Sequence, residues 1–135
     1  VNIQTFPNIA ARAETRYPVY AAHMRSLYHR HVETVGKAVD AGVPVYAGTD
    51  AGGTIAHGQI PTEIRLLSQL RDPLFGLGAA SWRARSWLTG DQAAAGLGVG
   101  AAADLLVLDA DPRRDVRAIA HPTFVVLRGR VLRDR

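Results

Sequence analysis

A helical period of hydrophobic positions runs from Pro18 to Gly42. Residues of the apolar face recur there at steps of three and four, while most charged side chains fall on the opposite side. The repeating positions are Tyr20, Met24, Leu27, His31, Val35, Ala38 and Val39. Proline is favoured in the first turn of a helix and glycine just beyond the last turn. The pattern therefore predicts one amphipathic helix between Pro18 and Gly42.

Shorter patterns lie on either side of this helix. The stretch Val1–Phe6 alternates apolar and polar residues, which predicts a short strand. The helical period returns over Pro61–Leu70 and again within Leu74–Leu88, where Trp82 and Trp87 are the bulky packing residues. We therefore expect two further helices in the second third of the chain.

The most continuous apolar run, Val43–Gly48, predicts a strand buried on both faces, as in a parallel sheet covered by helices. A polar, glycine-rich loop follows, and Asp50 is its first acidic residue; His57 and Glu63 add polar groups further along. In α/β folds, chemistry lies in loops at the carboxyl ends of strands. Aspartate at this position is equally typical of a helix N-cap or an Asx turn, so the pattern alone leaves Asp50 open between a structural and a functional role.

The last third of the chain has a different composition. Residues 90–103 are almost all glycine and alanine, which indicates a boundary between a unit at 1–90 and a unit at 91–135. The second unit contains three apolar runs separated by turn residues, which predict strands, and one short helical turn. The predicted strands are Ala103–Asp109, Phe124–Leu127 and Val131–Leu132, with the helical turn at Val116–Ile119.

Composition narrows the class of protein. The 135 residues are 47% hydrophobic and 21% charged, which is typical of a globular domain. With no cysteine, the chain has no disulfide, thiol nucleophile or thiolate metal site. No apolar stretch is long enough to cross a bilayer and no signal peptide is visible, so we expect a cytoplasmic protein without a membrane partner.

The formal net charge of +4 raises the alternative of a nucleic-acid-binding protein. The basic residues argue against it, because Lys37 is the single lysine and the arginines are scattered, often beside acids. The densest basic cluster lies at the C-terminus, at Arg128, Arg130, Arg133 and Arg135, without interleaved aromatic residues. We therefore expect no nucleic-acid partner.

The histidines provide a second candidate for metal binding, at His29-Arg30-His31. On the predicted helix, positions two apart point to nearly opposite sides, so both rings cannot bind one ion. We expect His31 to be buried and His29 to face solvent. For His23, a partly buried, hydrogen-bonded ring is the simpler interpretation than a metal ligand.

Three collinear segments resemble the metal-dependent amidohydrolase superfamily, most closely its imidazolonepropionase and prolidase-like branch. The segment Asp40–Gly52, with His57-Gly58 and Glu63 after it, resembles the last barrel strand and its loop. The segment Ala79–Leu88 resembles the helix that follows. Residues 100–112 and 125–131 resemble the return to a small β domain.

The resemblance implies a fold and a site. The fold would be α/β, the C-terminal part of a (β/α)8 TIM-like barrel followed by strands of a small β-sandwich. Asp50 would be the metal-binding and catalytic aspartate that takes up the proton of a metal-activated water, and His57 would face the substrate. The metal would be divalent, with zinc expected. The remaining ligands would come from a missing N-terminal barrel segment, since neither Lys37 nor the helical histidines match them.

The expected function is therefore that of a C-terminal portion of a hydrolase acting on amide, peptide or cyclic amide bonds of a small-molecule substrate, inactive as this chain alone. Known catalytic zinc sites use about three protein ligands, and one carboxylate cannot replace them. The alternatives are a non-catalytic interaction module that pairs with a partner chain through exposed strand edges, and the basic nucleic-acid-binding module.

Overall fold

The computed structural model describes residues 1–53, 55–92 and 96–132. Within these residues, helices occupy the first two thirds of the chain and a small sheet occupies the last third. The helices are α1 (Thr5–Ala13), α2 (Pro18–His29), α3 (His31–Asp40), α4 (Ile60–Ser68), α5 (Pro73–Ala80) and α6 (Trp82–Thr89). The strands are β1 (Leu105–Val107), β2 (Phe124–Leu127) and β3 (Arg130–Leu132), with a 3-10 helix at Val116–Ala120 between β1 and β2. No helix of the described residues is long and apolar enough to span a membrane.

The three strands form an antiparallel sheet in the order β1-β2-β3. Leu106 pairs with Val125, which in turn pairs with Leu132. Arg128 and Gly129 form the tight turn between β2 and β3, both with positive φ. The strands and helical turn predicted for the last third are confirmed, with β1 shorter than expected. The fold class is α/β at the level of helices plus a small sheet; the barrel and the β-sandwich stay predictions.

The core joins segments that are distant in sequence. Its fully or nearly fully buried side chains come from the N-terminus, from the apolar run, from α4 and the residues just after it, and from α5. They are Ile3, Val45, Leu66, Leu67, Leu70 and Ala79. The apolar face predicted for the helix at Pro61–Leu70 is therefore confirmed, although α4 begins and ends slightly earlier than the pattern suggests.

The strand predicted at Val1–Phe6 is wrong, because α1 begins at Thr5. Pro7 lies in the first turn of that helix, where backbone N–H groups have no partner within the helix and proline costs little. Only Val1 makes strand-like bonds. Its N-terminal ammonium donates to the carbonyl of Tyr46 (2.6 Å), and its carbonyl accepts from the Gly48 N–H (2.8 Å).

The single helix predicted between Pro18 and Gly42 is two helices. Arg30, with φ −95° and ψ 0°, leaves the helical conformation between α2 and α3. His31 is buried and His29 is exposed, as expected. His23 is exposed, so the expectation of a partly buried ring was wrong.

The apolar run Val43–Gly48 does not form a regular strand in the described chain. Val45 is buried, but Val43 is 51% exposed, so burial on both faces was a wrong prediction. Its backbone bonds are isolated ones: the Val43 N–H donates to the carbonyl of Ala38 (2.9 Å) and the Ala47 N–H to the carbonyl of Ala79 (2.9 Å), besides the bonds with Val1. A regular strand needs a continuous neighbour, and no such neighbour exists among the described residues.

The helix predicted within Leu74–Leu88 is also divided, into α5 and α6, because Ser81 adopts φ −133° and ψ −104°. Trp82 and Trp87 are exposed rather than packed in the core. Trp87 stacks on Tyr46 with ring centroids 4.9 Å apart, which places α6 beside the apolar run.

Candidate functional site

The loop after the apolar run folds back on itself. Asp50 has φ 47°, a left-handed conformation that is uncommon for a residue other than glycine and occurs more often with aspartate. Gly52, with φ 106°, donates its N–H to the carbonyl of Ile55 (3.0 Å), and Ala51 forms an isolated bridge with Ile55. The turn leaves the Asp50 side chain exposed at the end of the apolar run.

His57 lies in the same loop, beside Gly52. A side-chain carbon at Gly52 would stand 3.7 Å from His57 Nε2, so the imidazole lies against the glycine backbone. His57 is exposed like Asp50. The fold thus places both predicted site residues on one exposed loop, which is the arrangement that a shared site requires.

The structure argues against the capping alternative for Asp50. Helix α4 begins at Ile60 with Gln59 as its N-cap, nine residues beyond Asp50 in the sequence. Among the described residues, the Asp50 carboxylate accepts no hydrogen bond and forms no ion pair. Its oxygens are therefore available to a ligand from outside this part of the chain.

The N-terminal segment holds the approach to the loop. Asn2 donates its side-chain amide to the carbonyl of Thr49 (2.8 Å), the residue before Asp50. The Val1 bonds to Tyr46 and Gly48 fix the preceding part of the apolar run. The backbone that leads into Asp50 is thus held by residues nearly fifty positions earlier in the chain.

Glu63 is fully buried in the first turn of α4. Its Oε1 accepts from the Ile3 N–H (2.7 Å) and its Oε2 from the Gln4 N–H (3.2 Å). Burial raises the pKa of this carboxyl above its usual range, against the lowering effect of the two backbone bonds. The sequence indicated Glu63 only as a polar group downstream of Asp50, and carried no signal for these backbone partners.

No group of three His, Asp or Glu side chains in the described ranges could hold a metal ion. Asp50 supplies oxygen ligands of a suitable kind, but it stands without further ligands in this part of the chain. His31 Nδ1 instead contacts the carbonyl of Tyr28, and the Lys37 ammonium pairs with Glu33 (2.6 Å). The described residues could therefore provide one ligand of a metal site, Asp50, but not a complete set of ligands.

Much of the positive charge is paired with neighbouring acids. The guanidinium of Arg113 binds Asp111 through two nitrogens, and Arg117 binds Asp115 in the same way. The Arg113 guanidinium holds the pKa of Asp111 at about 2. The absence of a nucleic-acid partner stays a prediction, and this pairing agrees with it.

Sequence comparison identifies relatives that are much longer than this chain. Uncharacterized proteins of Mycobacterium tuberculosis and Mycobacterium bovis are 50% identical to it over 131 residues. That alignment includes 96% of this chain and 34% of each relative. The chain thus spans about one third of the curated relatives that it matches. No protein-family model matches it.

Structure comparison finds neighbours among prolidase-like proteins. A prolidase crystallised with N-methylphosphonate-L-proline matches with a TM-score of 0.77 and 25% identity, over 100% of this chain and 34% of that one. A Bifidobacterium longum protein provisionally assigned as a prolidase matches with a TM-score of 0.78 and 27% identity, over 97% and 33%. The expected resemblance to the prolidase-like branch is confirmed at this level.

Proposed function

We propose that this chain, which is similar to one third of prolidase-like amidohydrolases, supplies Asp50 to the metal site of a hydrolase whose other ligands come from a further protein segment. The structural neighbours support the hydrolase class. The observation that carries the assignment to Asp50 is its exposed carboxylate, without a partner in the described chain, on a left-handed residue at the end of the apolar run.

The proposed chemistry needs few groups from this chain. A divalent ion, with zinc expected, supplies a water of lowered pKa when it is bound. Asp50 would help to hold the ion, accept a proton from the water as its oxygen bonds to the carbonyl carbon, and donate that proton to the amine nitrogen as the C–N bond breaks. The left-handed backbone at Asp50 and the bond from Asn2 to Thr49 would hold the carboxylate in a fixed direction.

The proposed substrates contain a C–N bond in an amide, peptide or cyclic amide. The prolidase neighbour binds a proline phosphonate, which favours the amide bond before proline as the first substrate to test. His57 would contact the substrate, because it lies on the same exposed loop and carries a hydrogen-bonding ring. With the predicted boundary between the units at 1–90 and 91–135, the site would lie in the first unit and the sheet in the second.

The 135-residue polypeptide by itself should bind no zinc tightly and should hydrolyse no substrate, because one carboxylate does not complete a catalytic site. Metal analysis of the purified chain after dialysis against zinc, together with assays on Xaa-Pro dipeptides and cyclic amides, measures both. Stoichiometric zinc with turnover would contradict the proposed division of the site between two segments.

The alternative of a non-catalytic interaction module is favoured by one observation, the exposed apolar residues on both faces of the sheet. Val131 is 63% exposed on one face and Leu106 is 50% exposed on the other. This alternative gives Asp50 no role, so it predicts that replacing Asp50 changes neither metal binding nor hydrolysis in any longer protein that contains the chain.

A further inference from the structure

The carboxylate of Glu63 lies at the start of a chain of hydrogen bonds that ends beside Asp50. Its two oxygens accept from the N–H groups of Ile3 and Gln4, which immediately precede α1. The adjacent Asn2 donates to the carbonyl of Thr49. That carbonyl belongs to the peptide unit whose N–H is that of Asp50.

The same segment is held from α4 at a second point. Gln4 donates its side-chain amide to the carbonyl of Gln59 (3.3 Å), the N-cap of α4. Ile3 is fully buried in the core between these bonds. The short segment from Val1 to Gln4 therefore lies between the first turn of α4 and the apolar run that leads to Asp50, and a change at Glu63 acts on it directly.

We propose that Glu63 is a positioning residue, whose buried carboxylate fixes the segment Val1–Gln4 against the apolar run and so sets the backbone of the Asp50 loop. A carboxylate offers two strong acceptors to two adjacent N–H groups, whereas its protonated form offers weaker acceptance and one competing donor. Protonation of Glu63 should therefore displace the segment and, through Asn2, the peptide unit between Thr49 and Asp50.

The surroundings of Glu63 include influences that raise the pKa of its carboxyl and influences that lower it. Burial favours the protonated form and is the largest influence. The two backbone N–H bonds from Ile3 and Gln4, and the ring of His31 on α3, favour the ionised form. His31 Nε2 is buried without a hydrogen-bond partner among the described residues.

Nuclear magnetic resonance of the 135-residue chain tests the proposal without any metal or substrate. The Asp50→Asn variant is used as the background, so that the titration of Asp50 itself does not contribute. We expect the amide signals of Ile3, Gln4 and residue 50 to shift with one common midpoint above the ordinary glutamate pKa of about 4.3. That common midpoint should disappear in Glu63→Gln and persist in Glu33→Gln, which removes an exposed carboxylate on α3.

A second variant keeps the test decisive if Glu63→Gln does not fold. Asn2→Ala removes the bond to Thr49 but leaves the Val1 bonds to Gly48 and Tyr46. The shift at residue 50 should then become smaller, because only the Val1 bonds still join the segment to the apolar run, while the shifts at Ile3 and Gln4 remain. An amide of residue 50 that does not follow Glu63, or that follows it equally in Asn2→Ala, would overturn the proposal.

The importance of this positioning for catalysis rests on the proposed role of Asp50. The hydrogen-bond coupling does not depend on that role, because the measurement contains no metal and no reaction. If the amide of residue 50 follows Glu63 but Asp50 has no role in metal binding or hydrolysis, the proposed function alone is contradicted. If the amide of residue 50 does not follow Glu63, the positioning role alone is contradicted.

Discussion

At the scale of single residues, two acids of this chain have opposite environments. Asp50 is exposed on a left-handed residue, and Glu63 is buried with two backbone donors. An exposed carboxylate without a partner can bind a ligand, whereas a buried and fully bonded carboxylate organises the backbone around it. Burial of Glu63 should also make the free energy of unfolding depend on pH.

Replacing Glu63 with glutamine should change how the free energy of unfolding depends on pH. Burial raises the pKa of Glu63 in the folded state above the reference value of 4.5. The stability that this group contributes is therefore fully present below that value and is lost as pH rises through the folded-state pKa. Urea unfolding between about pH 4 and pH 7 should show wild type losing stability relative to Glu63→Gln as pH rises.

Glu33→Gln is the control for this titration, because the stability contributed by Glu33 should change with pH in the opposite direction. The hydrogen bond and charge of Lys37 lower the pKa of Glu33, so its contribution is lost as pH falls. A stability difference between wild type and Glu63→Gln that is constant with pH would contradict the raised pKa.

The sequence pattern pointed to Asp50 as a candidate, whose role stays a prediction, and it gave no signal for the burial of Glu63. Asp50 follows an apolar run and precedes glycines, and this local pattern predicts a loop in which Asp50 is the first acidic residue. The partners of Glu63 lie about sixty positions earlier, on backbone N–H groups that carry no side-chain signature. Long-range contacts between a carboxylate and backbone amides leave no period in a single sequence, so burial of Glu63 required the structure.

At the scale of elements, local patterns predicted the sheet and α4 and failed at helix breaks. The strands of the last third were predicted because short apolar runs with intervening turns are local signals. The breaks at Arg30 and Ser81 were missed because neither residue is a helix breaker by type. The apolar run at 43–48 lacks a regular ladder because a strand depends on neighbours that its own sequence does not contain.

The close crossing of α4 and α5 depends on Gly76. A side-chain carbon there would stand 2.2 Å from Ser68 Oγ and 2.4 Å from the carbonyl oxygen of Ile64. The second atom is backbone, so α5 would have to move away from α4. Gly76→Ala should therefore reduce the free energy of unfolding by about 1–3 kcal/mol in urea titration, as overpacking typically does.

Gly36→Ala is the matched control within a helix. Among the described residues, no atom beyond the adjacent residues and the backbone of the same helix lies within 4 Å of a side-chain carbon at Gly36 in α3. Alanine is the better helix former, so this variant should gain about 0.5–1 kcal/mol. Equal effects of the two substitutions would show that helix propensity, and not the approach of α4 to α5, determines the result.

At the scale of the whole molecule, the chain spans about one third of the length of the relatives and structural neighbours that it matches. The described residues supply one suitable carboxylate and no group of three metal-binding side chains. The sheet exposes apolar residues on both faces, as expected of a surface that packs against further protein. The resemblance in sequence predicted an incomplete metal site, because Asp50 is the one expected ligand that this chain matches. It gave no information about the residues that would complete the site.

The most direct test is metal binding and hydrolysis by a chimera in which this chain replaces the matching third of the Mycobacterium tuberculosis relative, with the parent protein assayed first. The chimera should bind zinc and hydrolyse Xaa-Pro dipeptides. Asp50→Asn should reduce hydrolysis by about 10²–10⁴-fold, the usual loss when a general acid–base group is removed. Asp40→Asn, which removes an exposed carboxylate paired with Arg71, should change neither property. Undiminished zinc binding and hydrolysis in Asp50→Asn would contradict the assignment of Asp50 to the metal site.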